Sequence, residues 1–396
     1  MRKLIGTLKK SKIVEFILKL TFQMLSLLPV DPKLVIFESY FGRQFSCNPR
    51  AIYEYMKKHC PEYKLYWSVD GRYLQNFAGH DLQIIKRFSL KWFLLTATAR
   101  YWVTNIRLPL WIPKPKHTIY IQTWHGTPLK KLGLDIDEVH IPGSDTENYK
   151  REFIMESAKW DYLVSPNSYS TKIFRRAFSF EKEIIESGYP RNDFLYQANN
   201  KRGIDSLKRR YGLPLDKKVI LYAPTWRDDQ YFSVGKYRFQ LELDLKRMQE
   251  ELGEHYIVIL RMHYLIAEQL DVSEFAGFAY DFSHHEDIRE LYLISDLLIT
   301  EYNSVLFYHA NLRRPMIFFV YDIEDYRDRL RGFYFDLEKK APGPLVKTTE
   351  EVIQAIKHFE ERDFALPENF EEFYQTFCEW EDGQAAKRVV ETIWGK

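Results

Sequence analysis

The chain has 396 residues, long enough for two domains with substantial cores. Its 57 Lys and Arg nearly balance 55 Asp and Glu, for a formal charge of +2. That excludes a nucleic-acid-binding surface covering the whole protein and leaves room for a local basic patch. Cys47, Cys60 and Cys378 have no metal-ligand spacing and cannot all pair, which reads as a reduced, intracellular chain.

Residues 1–28 mix apolar positions (Leu4, Ile5, Leu8, Ile13, Phe16, Ile17, Leu20) with lysines at 9, 10, 12 and 19 at roughly helical spacing. The lysines break any apolar run well short of the ~20 residues a spanning helix needs. No small-residue cleavage site follows. The segment is expected to be an amphipathic helix lying in the headgroup region of an anionic membrane or packed on its own domain.

After Pro29, strand-like and helix-like segments alternate. Expected strands are Leu34–Ser39, Tyr63–Val69, Gln83–Lys86, Tyr101–Thr104, Thr118–Gln122 and Trp160–Ser165. Helices are expected at Asn48–His59, Leu90–Ala99 and Ser170–Ala177. A polar stretch, Gln197–Lys208, separates a second alternating set. Its strands are Lys218–Ala223, Tyr256–Leu260, Phe278–Asp281, Leu297–Thr300 and Met316–Val320. Its helices are Ile288–Ser295 and Val305–Leu312, and the tail adds Thr349–Glu361, Pro367–Thr376 and Gln384–Trp394. Such alternation predicts an α/β fold of two Rossmann-like halves facing a central cleft. The expected divisions are the amphipathic helix at 1–28, an N-terminal domain at 29–205, a C-terminal domain at 206–375, and a last helix at 376–396 packing back on the first domain.

Four strand ends concentrate reactive residue types. Thr123-Trp124-His125-Gly126-Thr127 follows the fifth strand, with Lys130 and Lys131 just beyond. Thr225-Trp226-Arg227-Asp228 follows Ala223 and Pro224; Arg261-Met262-His263 follows Leu260. Glu301-Tyr302-Asn303-Ser304 lies between a strand and a helix, where Asn303 or Ser304 is an N-cap candidate and the helix start an anion site. Singly, Arg227–Asp228 reads as a surface ion pair, His263 as a core histidine, and Asn303–Ser304 as a plain cap. Coincidence favours chemistry, because carboxyl ends of strands converge on one crevice in this architecture.

The residues resemble the CDP-glycerol glycerophosphotransferase family of teichoic-acid synthesis, particularly its shorter members. The likeness is carried by FESYFGRQFSCNPRAIYEYM, IQTWHGTPLKKLG, WDYLVSPN, ESGYPRND, ILYAPTWRDD, LRMHY, DIRELYLISDLLITEYNSV and LRGFYFD, from about residue 34 onward. The resemblance implies a GT-B-like fold, CDP-glycerol as donor, and a membrane-bound undecaprenyl-diphosphate-linked acceptor. Glycerol phosphate would move from CMP to an acceptor hydroxyl at the cytoplasmic face of the membrane. His125 stands at the family's acceptor-side base position and His263 at its second histidine, on the donor side. Arg227 and Arg261 are the implied phosphate clamps, and Glu301, Asn303 and Ser304 the implied donor-binding segment. Thr127, Lys130 and Lys131 are weaker candidates for acceptor or phosphate contact. The chain has Glu301 and Asn303 where many relatives have Asp and Ser, which implies a reshaped pocket for donor phosphate or ribose. Related alternatives are a CDP-ribitol or other nucleotide donor, or a non-catalytic subunit of a polymer-assembly complex. No cofactor is implied and no carboxylate cluster dictates Mg²⁺, although the free ion can accompany a diphosphate. The missing extra N-terminal region leans toward a primase or short-chain extender; oligomeric state stays open.

Overall fold

The computed structural model describes residues 12–139, 145–225, 231–233, 236–237, 241–262, 270–326 and 332–395. Helix α1 (Lys12–Leu25) leads into strand β1 (Asp31–Glu38), followed by α2 (Cys47–His59), β2 (Lys64–Val69), β3 (Gln83–Lys86), α3 (Leu90–Thr98), β4 (Ala99–Thr104) and β5 (Ile119–Gln122). The first half continues with α4 (Thr146–Ser157), β6 (Tyr162–Ser165), α5 (Ser168–Ala177), β7 (Glu183–Glu186) and α6 (Asp193–Ala198). These seven strands form one parallel sheet in the order β3-β2-β1-β4-β5-β6-β7.

The second half begins with α7 (Lys201–Arg210) and β8 (Lys218–Ala223). A short antiparallel pair, β9 (Tyr231–Ser233) and β10 (Lys236–Tyr237), precedes α8 (Leu245–Leu252), β11 (Tyr256–Leu260) and β12 (Ala279–Asp281). Then come α9 (Ile288–Ile294), β13 (Leu297–Thr300), α10 (Val305–His309), β14 (Met316–Phe319), β15 (Leu345–Val346), α11 (Thr349–Glu361), α12 (Phe370–Phe377) and α13 (Ala385–Trp394). Its parallel sheet runs β12-β11-β8-β13-β14-β15. Both sheets reverse direction of growth beside their first strand, at β1/β4 and at β8/β13. In open α/β sheets that reversal opens a crevice at the carboxyl ends.

The central strands read as near-continuous apolar runs because helices cover both faces. Leu34, Val35, Ile36 and Phe37 of β1 are all buried, as are all five residues of β11. One apolar cluster includes Val35 and Trp67 of the first half together with Val219, Leu298 and Tyr308 of the second, so the halves share a core.

The polar stretch expected as a break at 197–208 is instead largely helical. Asn200 accepts the Gly203 N–H and caps α7, while Leu207 is buried. Polarity there marks the solvated side of an amphipathic helix, and the expected division at 205/206 falls inside α7. Sequence periodicity missed α4, β7 and α8. The expected helix 305–312 ends at His309 and continues as a 3₁₀ turn, Ala310–Leu312. Helix α13 packs against α2 of the first half.

Residues 1–11 of the expected membrane segment lie outside the described residues. In α1, Phe22 is fully buried against Trp92, Phe93 and Trp102. Ile13, Phe16, Ile17, Leu20 and Met24 are exposed. No helix among the described residues is long and apolar enough to cross a membrane.

Candidate active site

The loop leaving β5 is fixed by side chains that hydrogen-bond its backbone. Gln122, buried at the strand end, accepts the Trp124 N–H (2.9 Å) and donates to the Ile106 carbonyl (3.0 Å). Asn48, at the start of α2, donates to the carbonyls of Thr123 and Trp124, both at 3.1 Å. These contacts hold Trp124 at φ +48°, in the left-handed region that an indole-bearing residue rarely adopts. The Trp124 ring packs on Phe178 (4.6 Å) and stacks with the His125 ring at 4.7 Å and 28°.

His125 Nδ1 lies 2.6 Å from the Asn105 carbonyl oxygen, at the end of β4. A carbonyl only accepts, so Nδ1 carries the proton and Nε2 keeps a lone pair in the neutral ring. No described residue hydrogen-bonds Nε2. Burial pushes the His125 pKa down to about 4, opposed by the Asn105 carbonyl and assisted by the Arg191 charge. At neutral pH the imidazole is therefore unprotonated and held in the tautomer of a proton acceptor.

Arg191, which is not at a strand end, packs against the His125 loop. It belongs to the turn Pro190–Asn192 after β7, donates to the His125 carbonyl (3.2 Å) and to Cys47 Sγ (3.4 Å), and stacks over the Tyr308 ring at 3.8 Å. Glu381 holds that turn, accepting from the Tyr189 N–H (3.0 Å) and Asn192 Nδ2 (2.8 Å). The signal available in sequence was the run Tyr189-Pro190-Arg191-Asn192, whose role needs the fold to become visible.

Tyr308, on α10 of the second half, closes the crevice. Its hydroxyl accepts the Thr127 N–H (3.1 Å) and donates to the His125 carbonyl (3.4 Å). A Cβ on Gly126 would stand 3.6 Å from Ser304 Oγ, so the His125 loop faces the start of α10 directly. The structure thus brings His125, Thr127 and Ser304 to one place. A second seam joins residues 129–132 to 332–334: Lys131 donates its N–H to Gly332, and Tyr334 donates its own to Leu129. Lys130 Nζ bonds the Tyr326 hydroxyl at 2.5 Å, and Lys131 Nζ pairs with Asp137 at 2.6 Å.

On the opposite wall, the implied donor segment is turned toward backbone. Glu301, fully buried, accepts the Thr225 N–H at 3.2 Å. Asn303 donates to the Ala223 carbonyl (2.9 Å) and accepts the Val305 N–H (3.0 Å). Asn303 is therefore the cap, while Ser304 makes no capping bond to a helix of only five residues. Arg261 spends Nη1 on the carbonyls of Phe282 and Ser283. Burial lowers its pKa, although a guanidinium stays charged. Arg227 and His263 lie outside the described residues. Among the described residues no His, Cys, Asp and Glu group has the arrangement to hold a metal ion.

Residues 20–395 match the family model described as CDP-Glycerol:Poly(glycerophosphate) glycerophosphotransferase. The chain belongs to this family. Its members are transferases, as the resemblance implied. The chain is 59% identical over 99% of its length to a teichoic acid poly(glycerol phosphate) polymerase of Bacillus subtilis, and spans 53% of that relative. A polymerase of the same description from Bacillus spizizenii is 57% identical, with 96% of each chain covered. Among solved structures, the wall teichoic acid polymerase TagF superposes at a TM-score of 0.89 with 41% identity, over 100% of this chain and 96% of that one. A variant of TagF soaked with CDPG superposes equally well, at 0.89. The two parallel sheets and the GT-B-like arrangement agree with that match.

Proposed function

We propose that this chain transfers glycerol phosphate from CDP-glycerol to a hydroxyl of a membrane-held teichoic acid precursor, releasing CMP. The observation that carries the reading is His125, neutral, locked by Asn105 and presenting a free Nε2 at the crevice between the two sheets. In this scheme Nε2 takes the acceptor hydroxyl proton as the oxygen attacks the glycerol-bearing phosphorus. The new P–O bond forms as the bond to the CMP oxygen breaks in line, and CMP departs with the electron pair. His263, which follows Arg261 and Met262 in sequence, is assigned to the donor side, with Arg227 on the phosphates. Glu301 and Asn303 act one step back, fixing the exit of β8 that leads to Arg227. The donor is supported by family membership. Addition of several units, and not priming or short extension, is supported by the two relatives named as polymerases.

The acceptor is assigned to the cytoplasmic membrane surface, with the exposed apolar side of α1 inserted among headgroups. Deleting residues 1–28 would remove Phe22 from the core, so Phe16→Glu with Leu20→Glu is the cleaner variant. It should reduce sedimentation with anionic vesicles and leave melting unchanged.

Protein mixed with CDP-glycerol and a glycerophosphate-primed acceptor should release CMP, with product mass rising in glycerol phosphate steps. Absence of CMP release with that pair sinks the reading. A single step would keep the transferase and remove the polymerase.

A further inference from the structure

The carboxyl edge of the first sheet continues past His125, across the loops that follow β1, β2 and β3. The loop after β1 is built under strain. Tyr40, Phe41 and Gly42 take φ of 45°, 62° and 74°. Left-handed non-glycine residues cost roughly 1–3 kcal/mol each and persist where surrounding structure enforces them. Here Asn105 accepts the Tyr40 N–H (3.0 Å), Asp70 donates its N–H to Gly42 (2.8 Å), and Asn76 donates to the Arg43 carbonyl (2.9 Å). A side chain at position 42 would meet the backbone of Ser68 and Asp70 at 2.8 Å, so only glycine fits.

This winding sends neighbouring residues to different tasks. The Tyr40 ring lies 5.7 Å from His125, edge to face. Phe41, 39% exposed, sits between two guanidinium groups, Arg43 at 5.7 Å and Arg87 at 5.8 Å. Phe88 also has a left-handed backbone (φ 62°), is 41% exposed, and lies 4.5 Å from Arg87. Solvent-exposed phenylalanines held in strained backbone are poor stability choices and suggest a surface that something covers.

The cations are unequal. Arg72 is paired with Asp70 (2.5 Å), and Arg87 Nε with buried Glu38 (3.1 Å). Arg43 touches Phe41 and Tyr73 but has no hydrogen-bond acceptor or carboxylate for its guanidinium among the described residues. Its Nε is shut off from solvent with no partner, and so is Arg87 Nη2. A buried donor without an acceptor is costly. The Arg43 Nη groups are not among these enclosed atoms, and an anion reaching them would give this guanidinium the acceptor it lacks; its planar fork suits phosphate oxygens.

We propose that Arg43 and Arg87, framed by Phe41 and Phe88, bind a phosphodiester of the acceptor chain beside the hydroxyl presented to His125. The inference rests on the glycerophosphotransferase reading. One unpaired cation matches the single negative charge of one phosphodiester, and the two rings match its flanking glycerol carbons. The subsite makes an acceptor that already carries glycerol phosphate a better substrate than one that does not. It thereby favours extension over priming.

The test uses the full chain and a synthetic glycerol phosphate trimer, with direct binding measured by calorimetry and turnover by CMP release. Arg43→Gln should weaken trimer binding about tenfold, roughly 1.4 kcal/mol, and raise the trimer KM. The KM for CDP-glycerol, binding to anionic vesicles, and melting temperature should stay as in wild type. Arg43→Lys should fall between, because it keeps charge and loses the fork. Equal trimer binding by wild type and Arg43→Gln overturns the proposal. So does a loss confined to vesicle binding, which would make the anion a lipid headgroup. If the protein binds CDP-glycerol and trimer without turnover, the functional reading fails while the trimer affinities still decide the subsite.

Discussion

The two carboxyl edges that form the crevice are built differently. On the first sheet, Gln122, Asn48 and Asn105 fix a loop whose reactive side chain, His125, still has an open nitrogen. On the second, Glu301, Asn303 and Arg261 spend polar atoms on backbone carbonyls and amides around the ends of β8 and β12. Among the described residues, the first edge presents an open imidazole nitrogen and the second presents side chains that support loops. Buried side chains that bond backbone are needed wherever a strand end turns, and they serve catalysis only through what they hold. Under the proposed function the first edge is the acceptor wall and the second the donor wall, and each can be broken separately.

The largest effect is expected at the acceptor wall. His125→Ala should cut turnover by about 10²–10⁴ with little change in melting, since the ring makes one hydrogen bond. The wild-type kcat/KM should stay flat below pH 6.5 and fall only near pH 4, where His125 takes its proton. An acid limb near 6.5 would assign the base elsewhere. Next is Asn48→Ala, which strips the Thr123 and Trp124 carbonyls and the Arg191 N–H of one shared partner. Buried orphans cost about 1–3 kcal/mol each, so urea unfolding should show a loss of a few kcal/mol and turnover should drop with it. Full turnover in a destabilised variant would mean that the loop is set without Asn48.

At the donor wall, Glu301→Gln should raise the KM for CDP-glycerol several-fold while sparing that for the acceptor. A reversed pattern would interchange the two walls. A smaller effect is expected behind Arg191. Burial raises the Glu381 pKa to about 8 from an ordinary 4.5. Its folded form prefers the proton, so the stability it contributes is complete below pH 4.5 and is lost as pH rises toward 8. Glu381→Gln should flatten that decline in thermal melts between pH 5 and 8; an unchanged slope would remove Glu381 as its source. The smallest effect belongs to Lys131. Its partner Asp137 is exposed, so Lys131→Ala should leave melting and turnover unchanged. A marked loss of acceptor affinity would restore it as a phosphate contact.

Much of this was legible in the chain itself. Continuous apolar runs such as Tyr256–Leu260 and Leu297–Thr300 locate their strands to the residue, because a parallel strand covered on both faces admits no polar alternation. His125 could be placed at a strand end for the same reason. Helix α7 could not, because a helix that buries mainly Leu207 looks like a linker when the surface it covers is unknown. Arg191 and Tyr308 were illegible as partners of His125, since they are 66 and 183 residues away and meet it only through hydrogen bonds to its carbonyl.

Local pattern along the chain carries the strand–helix alternation, the family, and the residue types at each strand end. Tertiary structure alone decided which of those residues face the crevice and which serve the backbone. The decision rests on hydrogen-bond geometry between distant segments. A glutamate or arginine near a strand end has the same local signature whether its polar atoms meet a substrate or a buried amide.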